Sequence, residues 1–219
     1  MFAQGIVVDP SSAGTVDGST ATVNLGRANE LLVASLHGKY FEQAYRGNVF
    51  YASTATAGVV IPISSTLSPT YSIWNPAGSG KLLVPIVTLI GWTANTAALG
   101  SLVWTATTNA GNTISTTAPF VTFSSPIVPT NANLGSGKVS QMRFSNGTIL
   151  LVAAPIFYRG TGISMTATTA ATTTAPWWTA RDDWEGGSII GPGNAIHLMG
   201  STAVLVSATV TLVYAEIPL

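Results

Sequence analysis

Short runs of β-branched and aromatic residues alternate along the chain with clusters of Gly, Pro, Asn and Ser. Val, Ile, Thr, Phe, Tyr and Trp suit the pleated, half-buried surface of a strand, and the clusters are typical of turns. The pattern therefore predicts a succession of short strands joined by turns and loops. The predicted strands span residues 5–8, 30–35, 47–53, 59–62, 70–74, 81–93, 100–107, 139–144, 148–153, 188–190, 195–199 and 203–216.

The last predicted strand has the clearest alternation between apolar and polar positions. Ala208, Val210 and Leu212 fall on one face, and Thr209 and Thr211 fall on the other. Because successive side chains of a strand point to opposite faces, this alternation predicts a sheet that the core covers on one side only.

A hairpin is predicted where Asn146 and Gly147 separate two strand-like runs. Both residue types tolerate the positive φ angles of a type I′ turn, which makes this dipeptide the strongest short-range hairpin signal. We therefore expect the strands at 139–144 and 148–153 to pair with each other. Asn146-Gly147-Thr148 also matches a glycosylation acceptor, but the turn is the preferred interpretation.

One segment also fits a helix, because apolar residues recur at every fourth position, as on one helix face. The recurring residues are Leu32, Leu36, Tyr40 and Ala44. Gly38 interrupts this pattern, and the apolar run at 31–33 fits a strand equally well. We predict a strand followed by a loop in this segment, in preference to a helix.

Together these elements predict an all-β fold, namely a single jelly-roll-like β-sandwich or barrel with long loops. The 219 residues are sufficient for one such domain, so we treat 1–219 as a single β-sandwich domain. The Thr/Ala-rich tract at 166–175 has low complexity and is predicted to be a loop or an edge segment of that domain.

Charge is scarce in this chain. Charged residues make up 7% of it, against about 25% in a typical soluble domain, and the formal net charge is +0. Without a basic excess there is little phosphate neutralisation to drive binding to nucleic acid. Hydrophobic residues amount to 47%, which excludes a disordered chain, and no apolar run reaches the roughly 20 residues of a membrane span. So little charge favours association with other copies or with a larger assembly.

The chain has no cysteine, so it forms no disulfide and offers neither a thiolate nucleophile nor a Cys-based metal site. Its first residues, Met1-Phe2-Ala3-Gln4, lack the basic segment and the apolar run of a signal peptide. We therefore expect the protein to be made in a cytoplasm.

Motifs for catalysis or cofactor binding fail on their spacing. Gly80 and Lys81 resemble the end of a phosphate-binding loop, but the first Gly and the final Ser or Thr of that motif are missing. The glycine-rich stretch at 186–191 lacks the Gly-x-Ser-x-Gly spacing of a nucleophile elbow. The two histidines, His37 and His197, both have apolar neighbours. The sequence therefore predicts no enzyme activity, no metal site and no cofactor.

One cluster of charge stands out, the Arg-Asp-Asp-Trp-Glu stretch at 181–185, which follows Trp177 and Trp178. Its carboxylates could bind Ca²⁺, act as glycosidase acids, or form a sugar-binding platform together with the tryptophans. The structural alternative is a solvated loop in which Arg181 pairs with a neighbouring Asp while the aromatic rings pack against the sandwich or a partner. We prefer this alternative, because the spacing does not match a calcium-binding loop.

Several stretches distributed along the chain share their residue pattern with one group of proteins. They span 36–50, 74–81, 187–190, 192–195 and 214–218. These stretches resemble the small β-rich proteins of tailed-bacteriophage virions. The resemblance implies a virion structural protein, first of all a capsid decoration (cement) protein that binds the major capsid protein or other virion proteins, or else a head-fibre or tail component. The resemblance implies no catalytic residue in this chain.

A decoration protein clamps neighbouring shell subunits by symmetric contacts, so we expect the chain to associate with itself, as a homotrimer at local three-fold positions. Large aromatic side chains dominate the energetics of such contacts, although core packing is the alternative for each of them. We expect the protein to reside in the virion, with no nucleic-acid or membrane partner. The candidate interface residues are Trp177, Trp178, Trp184, Tyr40, Phe41 and Tyr45.

Other functions stay open at this point. One is a receptor- or carbohydrate-binding module of a phage fibre, which requires exposed tryptophans beside Asp182, Asp183 and Glu185. Another is a single-jelly-roll major capsid protein, which forms the shell itself. A β-sandwich hydrolase requires two carboxylates facing each other across a cleft at about 5–9.5 Å.

Overall fold

A computed structural model describes residues 4–6, 20–22, 38–93, 100–108, 120–122, 127–165, 179–202 and 206–219. Within these ranges the chain consists of antiparallel strands and one short helix, so the all-β prediction is confirmed. Two larger sheets, of five and six strands, pack face to face in a sandwich-like arrangement.

The described elements follow one another along the chain with a single helix near the start of the sandwich. They are β1 (Gln4–Ile6), β2 (Thr20–Thr22), α1 (Phe41–Tyr45), β3 (Val49–Ser53), β4 (Val59–Ile61), β5 (Tyr71–Trp74), β6 (Lys81–Trp92), β7 (Gly100–Thr107), β8 (Phe120–Thr122), β9 (Thr130–Asn131), β10 (Arg143–Ser145), β11 (Leu150–Leu151), β12 (Ile156–Met165), β13 (Thr179–Asp183), β14 (Ala195–Gly200) and β15 (Val206–Pro218). Two small ladders, β1 with β2 and β11 with β8, lie outside the larger sheets.

The six-stranded sheet has the strand order β13-β6-β15-β3-β9, with β4 also paired to β15. The long antiparallel pair of β6 and β15 forms its centre. As the sequence predicts, Val210 and Leu212 of β15 are buried on the inner face, while Thr209 and Thr211 lie half-buried on the outer face. The core therefore covers this sheet on one side.

The five-stranded sheet has the strand order β10-β5-β14-β7-β12. Its central strand β14 differs from β15, because all six of its residues are buried. The inner residues Ile196 and Leu198 join the core between the sheets. On the opposite face, Ala195 packs against Ile149 and Leu151. This sheet is therefore covered on both faces where β14 passes through it.

The main core lies between the two sheets. Trp104 and Tyr71 of the five-stranded sheet, and Leu212 of the six-stranded sheet, have no exposed surface. The Tyr71 hydroxyl donates to the Ala52 carbonyl at 2.7 Å and accepts the Leu212 N–H at 3.2 Å. This buried hydroxyl thus connects the sheets by hydrogen bonds, as a buried polar group requires. Burial of each large side chain contributes about 1.5–3 kcal/mol.

A loop was expected at 41–45, but the structure has helix α1 there. Tyr40 and Ala44, which belong to the every-fourth pattern of the sequence, pack against Val49 and Ile86 on the outside of the six-stranded sheet. A helix of this length is not stable by itself, so its contact with the sheet decides its conformation. The helical periodicity was therefore the better guide in this segment.

The predicted hairpin at Asn146 and Gly147 is wrong. β10 pairs with β5 and β11 pairs with β8, so the strands on either side of these residues do not pair with each other. Neither residue has the positive φ of a type I′ turn. The Ser145 hydroxyl instead accepts the Gly147 N–H at 3.3 Å and donates to the Gly147 carbonyl at 3.1 Å. This local contact holds a bend that leads from one sheet to another ladder.

The remaining predicted strands agree with the structure to different degrees. The predictions at 81–93, 100–107 and 195–199 correspond to β6, β7 and β14. The strand predicted at 139–144 corresponds to the shorter β10. The strand predicted at 188–190 is reduced to a single bridge at Ile190. The predicted strand at 30–35 and the tract at 166–175 lie outside the described residues.

Five of the described strands were not predicted, namely β2, β8, β9, β12 and β13. Of these, β12 and β13 are outermost in the two larger sheets within the described part of the chain. β12 contains Gly160 and Gly162, which disfavour a strand and coincide with shifts in its register against β7. β13 consists mainly of charged and small residues, and a solvated loop was expected there. Its pairing with β6 over Thr179–Asp183 overrides this weak strand propensity.

Candidate functional site

The charge cluster of the sequence lies on β13 and continues just beyond it. Alternate residues of a strand point to opposite faces, so Asp182 points inward while Arg181 and Asp183 point outward. Asp182 is 3% exposed. The Arg181 Nε donates to both oxygens of the Asp183 carboxylate at 2.8 and 3.0 Å, so Arg181 does pair with a neighbouring Asp.

Asp182 connects the two sheets at the side of the sandwich where the edge strands β12 and β13 lie next to each other. Its carboxylate accepts a hydrogen bond from Arg159 Nη2 of β12 at 2.7 Å and another from Trp104 Nε1 of β7 at 3.2 Å. Asp182 belongs to the six-stranded sheet, and both donors belong to the five-stranded sheet. The carboxylate therefore links the two sheets beside their edge strands β12 and β13, which no backbone ladder joins in the part of the chain that is described.

Two tryptophans pack beside this connection on the side that faces the core. The rings of Trp104 and Trp184 meet edge to face with centroids 5.2 Å apart. Trp184 Nε1 donates to Thr88 Oγ1 at 2.9 Å, and the Arg159 guanidinium lies 4.2 Å from the centre of the Trp184 ring. Arg159 thus makes both an ion pair and a cation–π contact.

Burial is the main influence on the charge of Asp182. It raises the pKa of this carboxyl above its ordinary value, because desolvation disfavours the carboxylate. The Arg159 charge and the Trp104 N–H lower the pKa and only partly offset the effect of burial. The ion pair therefore forms at a cost in desolvation, which is common for buried pairs.

The three carboxylates of the cluster do not converge on one site. Asp182 faces Arg159 inside the sandwich, Asp183 faces Arg181 outside, and Glu185 lies 3.2 Å from Lys39 Nζ. In the part of the chain that the structure describes, no group of three His, Asp or Glu side chains is placed to hold a metal ion. Each carboxylate is paired with its own cation, so the three do not form a shared ligand set or a catalytic pair.

Ser72 and His197 form a buried pair with the composition of a catalytic dyad. Ser72 Oγ lies 2.7 Å from His197 Nδ1, and His197 Nε2 lies 3.1 Å from Thr107 Oγ1. Both Ser72 and His197 are 0% exposed, and a nucleophile must be able to reach its substrate. Burial lowers the pKa of His197 to about 3, so the imidazole is neutral near pH 7. The pair therefore acts as a polar connection across β5, β14 and β7.

A second buried carboxylate, Glu216, fixes the segment before β10 to β15. The carboxylate accepts a hydrogen bond from Ser140 Oγ at 2.5 Å and from the Gln141 N–H at 3.1 Å. The Tyr214 hydroxyl lies 2.8 Å from the same Ser140 oxygen. Glu216 is 4% exposed, so this network also lies away from solvent.

The candidate interface residues occupy different environments. Trp184 is 4% exposed and packs in the core, while Tyr40 is half-buried against the six-stranded sheet. Phe41 and Tyr45 are 41% and 47% exposed, and their rings stack with centroids 6.0 Å apart. Trp177 and Trp178 lie outside the described residues.

Comparison of the chain with protein-family models, with curated proteins and with solved structures gives no match. Among the helical residues that are described, none belongs to a helix long and apolar enough to cross a membrane.

Sequence reasoning missed Arg159 and Ser72, each of which belongs to one of the buried polar connections described above. A signal for Arg159 was present, because it is a lone charge after the apolar residues at 156–158. A charged residue inside a strand-like run is almost never buried without a partner. No such signal marks Ser72 among the many serines of the chain, because its role depends on the register that places it opposite His197.

Proposed function

We propose that this protein is a structural component of a bacteriophage virion, namely a capsid decoration protein with a jelly-roll-like sandwich. In this proposal it stabilises a shell by binding at sites that exist only after assembly, so its binding free energy adds to the stability of the shell. Copies of the chain associate symmetrically, with a trimer expected at local three-fold positions.

One observation carries this proposal: an ordered aromatic patch lies on the surface of a chain that has almost no charge. We define the aromatic patch as Phe41, Tyr45 and Leu134. Leu134 is 85% exposed on a loop that is tied to α1, because Asn133 Nδ2 donates to the Tyr45 carbonyl at 2.9 Å. Rigid, exposed aromatic side chains are typical anchors of protein–protein contacts.

The charges that flank the aromatic patch support a protein partner. Glu42 accepts a hydrogen bond from Arg46 Nε at 2.5 Å, and Lys39 pairs with Glu185. The rim is therefore polar with its charges already paired, as at many protein interfaces. No charge needs to be buried without a partner when another protein covers the patch.

The position of Trp184 argues against a carbohydrate-binding module. A sugar-stacking platform needs an exposed ring face beside free carboxylates, whereas Trp184 is buried and Arg159 covers its ring. The Asp182 carboxylate is occupied by Arg159 and Trp104. We therefore rank the carbohydrate-binding module below the decoration protein. The experiment below distinguishes a decoration protein from a major capsid protein.

The test is binding of the purified protein to phage heads isolated from the phage or prophage whose genome encodes this sequence. Light scattering first gives the mass in solution, and co-sedimentation then gives binding to the heads. We expect a discrete small oligomer that binds heads. Spontaneous growth into megadalton shells would instead identify a major capsid protein, and failure to bind heads would overturn the proposal.

A matched pair of variants locates the contact. Substitution of both Phe41 and Tyr45 by Ala is expected to weaken binding to heads by about 30-fold, the size of one strong interface anchor. Phe157→Ala removes another exposed ring, which is 67% exposed, and is expected to leave binding within about 2-fold. Equal losses in the two variants would overturn the assignment of the patch.

A further inference from the structure

The Asn146-Gly147 dipeptide does not form the hairpin that the sequence predicts, but it has a second chemical property. An asparagine followed by glycine can react with the main chain, because glycine has no Cβ to hinder the approach of its nitrogen to the asparagine carboxamide. The sequence contains one such Asn-Gly pair. Whether the reaction takes place in the folded protein depends on how tightly the two residues are held.

No backbone ladder holds Asn146 or Gly147. Both lie between β10, which ends at Ser145, and β11, which begins at Leu150. The Gly147 N–H donates to Ser145 Oγ at 3.3 Å, which is longer than an ordinary hydrogen bond. Both residues are half-buried, so water reaches them. The Gly147 nitrogen is therefore held by one weak contact only.

The side chain of Asn146 is also free to turn. Its carboxamide makes no hydrogen bond to any residue that the structure describes. An unbonded carboxamide can rotate until its Cγ faces the Gly147 nitrogen, whereas a bonded one must first break its contacts. The other asparagines in the described ranges all have hydrogen-bonded carboxamides, namely Asn48, Asn75, Asn131, Asn133 and Asn194.

We propose that Asn146 is a site of spontaneous deamidation through Gly147. The Gly147 nitrogen gives its proton to hydroxide and forms a bond to Asn146 Cγ, while the bond from Cγ to Nδ2 breaks. Nδ2 takes a proton from water and leaves as ammonia, so that a succinimide ring remains. Water then opens the ring at either carbonyl and gives aspartate or isoaspartate. Water is the co-reactant, and nothing is oxidised or reduced.

The place of Asn146 in the fold gives the reaction a structural consequence. The connection that follows β10 leads to Ile149 and Leu151, which pack against Ala195 on the outer side of the five-stranded sheet. The Ile149 N–H donates to the Pro69 carbonyl at 3.1 Å. Aspartate adds only a charge to this connection, whereas isoaspartate also lengthens its main chain by one atom. We therefore expect isoaspartate to displace Ile149 and to loosen this cover.

Prolonged incubation of the full chain in mildly alkaline buffer tests the site. Peptide mass mapping detects a gain of about 1 Da, the difference between the water taken up and the ammonia lost. Enzymatic methylation of isoaspartate identifies the second product. We expect Asn146 to react at least about 10-fold faster than Asn131 or Asn133 in the same sample. A rate at Asn146 no higher than at these two asparagines would overturn the inference.

Two variants test the role of the neighbouring nitrogen. Gly147 does not have a positive φ, and no described atom lies within 4 Å of a Cβ placed there, so Gly147→Ala is expected to fold normally. We expect Gly147→Ala to slow the mass gain by about 10-fold, because the added methyl group hinders ring closure. Asn146→Gln keeps the carboxamide but would have to close a larger ring, and we expect no gain at this position. A wild-type rate in Gly147→Ala would overturn the inference.

Urea unfolding tests the structural consequence. Asn146→Asp reproduces the charge of the product without the longer main chain. We expect the urea midpoint of aged wild-type protein to fall below that of fresh Asn146→Asp, and we expect Gly147→Ala aged in parallel to keep its midpoint. An aged sample that contains isoaspartate at 146 and unfolds at the same urea concentration as fresh protein would overturn the loosening of the cover. These outcomes do not depend on the virion role, because none of them involves a partner.

Discussion

The two sheets share one core but differ on the sides that face away from it. On the five-stranded sheet, His197 and Met199 of β14 point away from the core and are still 0% exposed. On the six-stranded sheet, Leu89 of β6 points away from the core and is 44% exposed. Among the residues that the structure describes, other segments cover the first outer face, and only α1 packs on the second.

This difference separates the polar chemistry of the molecule into two kinds. On the covered face, the His197 ring is hydrogen-bonded to Ser72 and to Thr107. These buried polar groups bond within the protein because no water reaches them. On the open face, namely the outer side of the six-stranded sheet, Thr209 and Thr211 bond to neighbouring groups of the sheet although water is near. Covered polar groups therefore contribute to stability.

The largest expected effect is the response of the covered face to acid. Burial lowers the pKa of His197 from 6.5 to about 3, so the unfolded chain takes up the proton first. The stability that this group contributes above pH 6.5 is lost as the pH falls towards 3, by up to about 1.4 kcal/mol per pH unit. Denaturant unfolding at pH 7 and pH 5 measures the slope.

His197→Gln is the control for this response. The variant is expected to be less stable at pH 7 but to lose most of the slope between pH 7 and pH 5. Asp182 acts in the opposite direction, because its raised pKa makes its contribution fall as the pH rises through that pKa. An unchanged slope in His197→Gln would contradict the assignment.

Truncation on each outer face should give unequal losses. Met199→Ala creates a cavity beneath the cover of the five-stranded sheet and is expected to cost about 2–5 kcal/mol of unfolding free energy. Leu89→Ala on the open face is expected to stay within about 0.5 kcal/mol when the chain is dilute. Urea unfolding of both variants gives the comparison. Similar losses of unfolding free energy in the two variants would contradict the difference in burial between the two outer faces.

The two adjacent aspartates of β13 should differ in the same way. Asp182→Ala leaves Arg159 and the Trp104 N–H without their acceptor inside the sandwich, so we expect a loss of about 3 kcal/mol. Asp183→Ala breaks an exposed pair with Arg181 and is expected to cost less than about 1 kcal/mol. Thermal or urea unfolding measures both, and a costlier Asp183→Ala would refute the bridge between the sheets.

The smallest expected effect concerns Gly91 on the open face. Gly91→Ala pushes the Thr209 hydroxyl off the Gly91 carbonyl, so we expect a loss of about 1 kcal/mol. In a Thr209→Ala background the same substitution should cost less, because the obstructing hydroxyl is gone. The coupling between the two substitutions is read from a double-mutant cycle of unfolding free energies. Additive costs would mean that this contact does not shape the face.

Strands with regular patterns could be predicted from the sequence, and elements that depend on distant neighbours could not. β6, β7 and β15 are rich in β-branched and apolar residues, and their positions were predicted closely. β13 has little strand propensity and is a strand because β6 lies beside it. The hairpin at Asn146 failed for a similar reason, since β10 pairs with the more distant β5.

The candidate site divides in the same way. The 181–185 stretch was recognised as a charge cluster, and the expected pairing of Arg181 with a neighbouring Asp is present. The expected solvated loop is wrong, because 181–183 belong to β13 and Asp182 is buried. The partner of Asp182 could not be predicted, because Arg159 lies on another sheet. Trp184 was a candidate for an interface, but whether an aromatic ring faces the core or a partner depends on which side of the strand is covered.

The sequence by itself determined that this protein is a β-rich chain with scarce charge, no cysteine and alternating strands. These properties follow from residue types and from the two-residue period of a strand, which are local. The tertiary structure decided which faces are covered, which aspartate is buried and which serine meets His197. Those outcomes depend on the strand register and the sheet order, because they bring together residues that are far apart in the chain.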